Sequence, residues 1–121
     1  MAEKRTPAQQ RRIDDIHAFI RTVEHVKKLV TDLDSSRAAR SQVIDNLSGS
    51  IARELSQLRQ RAMTTNVGTL ADSAGALAVM AGRSGGGLAL KIRGLTEGVN
   101  SMLMQLDQAL THVMHPEKKK S

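Results

Sequence analysis

Ile16, Phe19, Val23, Val26, Val30 and Leu33 are six apolar residues spaced alternately three and four positions apart. Only an α-helix gathers such positions on one side, because each residue turns the chain by about 100°. Ile13, Ile20 and Leu29 flank the stripe and widen it. A stripe this wide suits a helix with two neighbours better than one strand of a simple coiled coil. The spacing returns in Ile92, Leu95, Val99, Met102, Leu106, Ala109 and Val113, with Leu88 extending it backwards. Phe19 is the only aromatic residue in 121, whereas sheets lean on aromatic and β-branched side chains. We therefore expect an all-α fold, an antiparallel bundle of four helices near 8–33, 36–63, 67–82 and 88–114. One domain, 8–115, lies between a basic N-terminal tail, 1–7, and a basic C-terminal tail, 116–121.

The boundaries follow from local chemistry. Thr6, Pro7 and Gln9 supply an N-cap, a proline at the first helical position and a capping-box partner. Asp34, Ser35 and Ser36 stop the first helix and restart the chain near Ser36. The second helix is read from Ile44, Leu47, Ile51, Leu55, Leu58 and Ala62, with Val43 beside them and Gly49 as a soft point. The polar run Thr64-Thr65-Asn66 and Gly68 interrupt it. Without that interruption, helices two and three would fuse into an arm of roughly 70 Å at 1.5 Å per residue. Val67, Leu70, Ala74, Leu77 and Ala81 form the third seam, and Pro116 turns the chain out of helix after Met114.

Gly68, Gly75 and Gly82 recur every seven residues, as do Ala71 and Ala78. A stripe of such small residues lets another backbone approach closely. If the chain reverses about Ser84–Gly86, helix four supplies that backbone. Leu70 then faces Val99, Leu77 faces Ile92, Gly75 faces Gly94 and Gly82 faces Gly87. On this reading the last two helices form a tight hairpin with a glycine-rich tip. Arg83, Ser84, Gly85, Gly86 and Leu88 are then the candidate partner-binding residues.

The net charge is +6, with +3 in residues 1–12 and +2 in residues 115–121. Basic ends usually serve solvation. Arg37, Arg40, Arg53, Arg59 and Arg61 add a candidate phosphate or nucleic-acid contact set on helix two. Asp45 and Glu54 interrupt it, and base stacking lacks its aromatic side chains. The absence of cysteine removes disulfides, thiolate metal sites and a thiol nucleophile. His17, His25, His112 and His115 read as surface histidines rather than as a metal site. No pair of acids is placed to share a pocket, since adjacent Asp14 and Asp15 diverge around a helix, and neither a nucleophile elbow nor a phosphate loop is present, so no catalytic residue, cofactor, metal or small-molecule substrate is expected. Neither a secretory leader nor a membrane span is legible, so a soluble cytoplasmic protein is expected.

Two short resemblances arise. Ala81, Gly82, Gly85, Gly87, Leu88, Ala89 and Leu90 resemble the tip of a chemoreceptor cytoplasmic hairpin, with Arg83 where an acidic residue usually stands. Thr69, Leu70, Ser73, Ala74, Gly75 and Leu77 resemble the active helix of a histidine phosphotransfer domain. Gly68 takes the phospho-accepting histidine's place there, and Ala71 the lysine's, which implies a relative unable to transfer phosphate.

The function these features favour is a non-catalytic helical bundle that binds other proteins in a bacterial-type signalling or assembly complex. Leu103 and Leu110 beside the fourth seam favour a homo-oligomer. Met80, Met102, Met104 and Met114 read first as core filling, with an adaptable contact surface as the alternative. One alternative is a basic nucleic-acid-binding accessory protein. Another is a degenerate signalling domain of the phosphotransfer or chemoreceptor-tip kind.

Overall fold

A computed structural model describes residues 5–65, 67–83 and 87–115. It contains four helices: α1 (Pro7–Ser35), α2 (Ser41–Thr65), α3 (Leu70–Gly82) and α4 (Leu88–Met114). No strand occurs among the described residues. The apex Ser84–Gly86 lies outside them.

Capping chemistry fixes the start of α1 where the sequence places it. The Thr6 hydroxyl accepts from the Gln9 amide at 3.0 Å, and the Gln9 side chain accepts from the Thr6 amide at 2.9 Å. The helix outlasts its expected end by two residues, and α2 starts at Ser41 rather than near Ser36. Residues 36–40 form a turn instead. The Ser36 amide bonds back to the Leu33 carbonyl, and the Ser36 carbonyl accepts from Ala39. Arg37 clasps Asp34 at 2.7 Å across the bend. The Arg40 carbonyl then accepts from Val43 and Ile44 and opens α2.

The next junction also departs from the expected bounds. Thr64 and Thr65 continue α2, since both hydroxyls donate to the Arg61 carbonyl at 2.9 Å. The start of α3 moves from Val67 to Leu70. Gly68 has φ +50°, a left-handed conformation that no helix interior admits and that glycine adopts without a Cβ clash. The α4 boundaries match the expected 88–114.

Each helix touches its neighbours in sequence, and α4 closes back on α1. The diagonal pairs, α1 with α3 and α2 with α4, make no close backbone approach among the described residues. Three pairs run antiparallel by direct contact. Gly75 and Gly82 of α3 meet Arg59 and Ala52 of α2, and Leu77 and Met80 meet Gly98 and Gly94 of α4. Arg12 and Thr22 of α1 meet Thr65 and Arg61 of α2.

These neighbours overturn the expected glycine pairing. A Cβ on Gly75 would lie 2.9 Å from Arg59 Cδ, and one on Gly82 would lie 3.8 Å from Ala52 Cβ. The small-residue stripe of α3 therefore faces α2, not α4. The reason is angular. Gly75 and Gly82 sit roughly 100–130° around the helix from the stripe of Leu70, Ala74, Leu77 and Ala81. A helix that aims that stripe at the core must aim the glycines sideways, at one neighbour only. Backbones accordingly approach most between α2 and α3, although α3 is the shortest helix, and least between α3 and α4.

The four seams meet in one core. All six residues of the first seam are buried, as are Val67, Leu70, Ala74, Leu77 and Ala81. Ile44 and Leu47 of α2, and Ala109 and Val113 of α4, are only partly buried. The 13 residues of α3 span about 20 Å at 1.5 Å per residue, whereas its 25- and 27-residue neighbours span about 37 and 40 Å. The ends of α2 and α4 therefore overhang α3.

Two glycines separate helix propensity from packing. A Cβ on Gly49 meets nothing within 4 Å, while one on Gly98 would lie 2.5 Å from Leu77 Cδ2. Gly49→Ala is expected to stabilise the protein by about 1 kcal/mol. Gly98→Ala is expected to destabilise it by about 1–2 kcal/mol, because buried Leu77 must shift. Urea denaturation of both variants checks the opposed signs.

Candidate functional site

The five arginines of the candidate phosphate set are not brought together. Arg37 is held by Asp34 in the α1–α2 turn. Arg40 is exposed just before α2, about 28 Å along the helix axis from Arg59. Arg53, Arg59 and Arg61 leave α2 in three directions. Arg53 faces away from the core, Arg59 lays its aliphatic stem over Gly75 of α3, and Arg61 turns towards α1. Arg61 donates to the Thr22 hydroxyl at 2.9 Å, and its guanidinium carbon lies 5.9 Å from the centre of the Phe19 ring. That geometry is a cation–π contact between helices, a structural use of the charge. Arg12, which the sequence leaves in the basic tail chemistry, donates to the Thr65 carbonyl and satisfies the C-terminal end of α2.

Of the tip set, Ser84, Gly85 and Gly86 fall outside the described residues. Arg83 is the exposed C-cap of α3, with extended backbone (φ −74°, ψ 131°). Leu88 opens α4 and packs partly buried against the core. Leu103 and Leu110 are likewise partly buried against the core, so the bundle itself uses them. Met102 is fully buried, Met80 covers Gly94, and Met104 is 64% exposed.

Gly68, which stands for the phospho-accepting histidine in the phosphotransfer resemblance, lies in the turn ahead of α3 rather than on its face. His17, His25, His112 and His115 are exposed. No group of three or more histidine or acidic side chains that could hold a metal ion occurs among the described residues. No described helix is long and apolar enough to cross a membrane.

Two of the surface hollows border the α3 helix and its glycines. The larger, about 480 Å³, is a shallow groove along α2 and α3, lined by Ser56, Arg59, Asp72, Gly75, Ala76, Ala78 and Val79. Its floor is small because the α3 stripe that admits α2 is small. Val79 beside it is 61% exposed. The second, about 270 Å³, lies where the start of α2 passes the end of α3 and the start of α4. Asp45, Ser48, Gly49, Gly82, Arg83 and Lys91 line it with Ala81. Of these polar residues, the sequence singles out only Arg83. A signal for Ser48 is present, since Ile44, Ser48, Ile51 and Leu55 keep the spacing of a buried stripe with serine in an apolar place.

Comparison with protein-family models, with curated proteins and with solved structures finds no match to this chain.

The structural role of Arg61 is measurable. Arg61→Ala is expected to cost about 1 kcal/mol through the lost ring contact and hydrogen bond. Arg53→Ala is expected to change stability by less than about 0.5 kcal/mol. Thermal melts of the two variants under one buffer condition compare them.

Proposed function

We propose that this chain is a non-catalytic helical bundle that acts by binding another protein, and that the α2–α3 groove is the docking face. One observation carries the reading: beside the Arg59 stem that covers Gly75, only Ala76 and Ala78 line the groove floor, with Val79 standing 61% exposed at its side. A floor without bulky side chains admits the ridge of a partner helix, and an exposed apolar residue rewards its burial. Arg59 and Asp72 at the rim carry opposite charges and would fix the register of that partner. The face is built by the packing of α2 on α3 and so exists before any partner arrives, which lowers the entropy cost of docking.

The alternative, a nucleic-acid accessory protein, has less support. Arg37 and Arg61 are engaged within the fold, and Arg53 and Arg59 diverge, so helix two offers no continuous basic track.

A photo-reactive residue placed at position 76 tests the docking face, with position 97 on exposed α4 as control. In extract of the natural host, position 76 is expected to yield a discrete adduct that position 97 does not. Val79→Glu in the position-76 background is expected to abolish it. Identical adducts from both positions, or none from 76, would contradict the proposal.

A further inference from the structure

The outer side of α3 carries Asp72, Ala76, Val79 and Arg83, in steps of four, three and four residues. At about 100° per residue the four fall within roughly 60° of arc, on the side opposite Leu70, Ala74, Leu77 and Ala81. All four are exposed, Val79 at 61%. Arg83 follows the last helical residue, yet its φ of −74° is close to the helical value, so its Cβ keeps the direction of the stripe. Asp72 and Arg83 make no ion pair or side-chain hydrogen bond with a described residue. The neighbours α2 and α4 meet α3 at Gly75, Gly82, Leu77 and Met80, on its flanks, which leaves the outer stripe uncovered. Asp72, Ala76 and Val79 also line the α2–α3 groove.

The stripe is its own complement. Opposite charges stand at its two ends, with a small and a larger apolar residue between them. Consider an antiparallel copy related by a two-fold axis that crosses α3 between Leu77 and Ala78. It places Asp72 opposite the partner's Arg83 and Ala76 opposite the partner's Val79, and the symmetry makes each pair twice. The valine then covers the space above the alanine. The charge pairs lie about 8 Å to either side of the axis. An apolar centre inside a charged rim is the anatomy of a protein interface. A parallel copy would instead set carboxylate beside carboxylate and guanidinium beside guanidinium, so the charges select the antiparallel arrangement.

Resting on the docking face proposed above, we infer that its partner is a second copy of this chain, bound antiparallel through α3 as a two-fold dimer. The contact runs along a helix of about 20 Å, so the dimer is weaker than one built on a standard-size interface.

Sedimentation equilibrium of the purified chain, carried into the hundreds of micromolar, tests this partner. A reversible monomer–dimer equilibrium is expected. Asp72→Arg and Arg83→Asp are each expected to weaken it about tenfold or more, because each turns both attractive pairs into repulsive ones. Mixed in equal amounts, the two variants are expected to associate with each other within about threefold of the wild type, since opposite charges then meet at both ends. Recovery on mixing separates a lost contact from an unfolded protein. A photo-reactive residue at position 76 is expected to give a covalent dimer in the purified protein alone. A chain that stays monomeric at every concentration, or a mixture that associates no more tightly than its components, would overturn the second copy as partner. If position 76 then still gives its adduct in host extract, the docking face stands with a different protein on it. If it gives none there either, both readings fall.

Discussion

Gly75 and Gly82 stand one heptad apart on α3, and the space their missing side chains leave is taken by Arg59 and Ala52 of α2. The rest of the bundle is arranged around that approach. A 13-residue helix is marginal by itself, and Gly75 and Gly82 within it weaken it further. What holds α3 helical is packing on two sides: its small stripe against α2, and Leu70, Ala74, Leu77 and Ala81 against the core. On its third side, Leu77 and Met80 fill the room left by Gly98 and Gly94 of α4. Small residues thus occur on whichever helix must receive a side chain. The result is a bundle that is narrow between α2 and α3 and wider between α3 and α4.

Much of this was legible from residue spacing. The capping box at Thr6, the six-residue seam of α1, all five seam residues of the third helix and both ends of α4 follow from local pattern alone. The junctions were less legible. Stop-and-restart residues at 34–36 signal a bend without saying that five residues are spent on it. Thr64 and Thr65 look like helix breakers until their hydroxyls find the Arg61 carbonyl. The glycine register is not legible in the sequence, for a more general reason. Two heptad patterns can always be placed in phase across an assumed turn, so periodicity says which residues share a face but not which neighbour that face meets. The neighbour is chosen in three dimensions, by the angle between the glycine stripe and the buried stripe.

The same distinction governs the candidate sites. Arginines grouped in sequence on one helix diverge once the helix is wound, and two of the five are consumed by Asp34 and Phe19. Residues remote in sequence converge instead. Asp45, Ser48, Arg83 and Lys91 come from three segments, and only the overhang of α2 past the end of α3 brings them round one hollow. The groove exists because the α3 stripe is small, and the hollow exists because α3 is short.

The chain contains no cysteine, so an introduced pair reports on one contact alone. The Cβ positions of residues 52 and 82 lie 3.8 Å apart, within the separation a disulfide spans. Under mild oxidation the double variant Ala52→Cys, Gly82→Cys is expected to close a disulfide rapidly and completely, while Gly75→Cys, Gly94→Cys stays reduced. Closure of the second pair with the first left as free thiols would mean that the glycine stripe of α3 faces α4 and that α2 packs elsewhere.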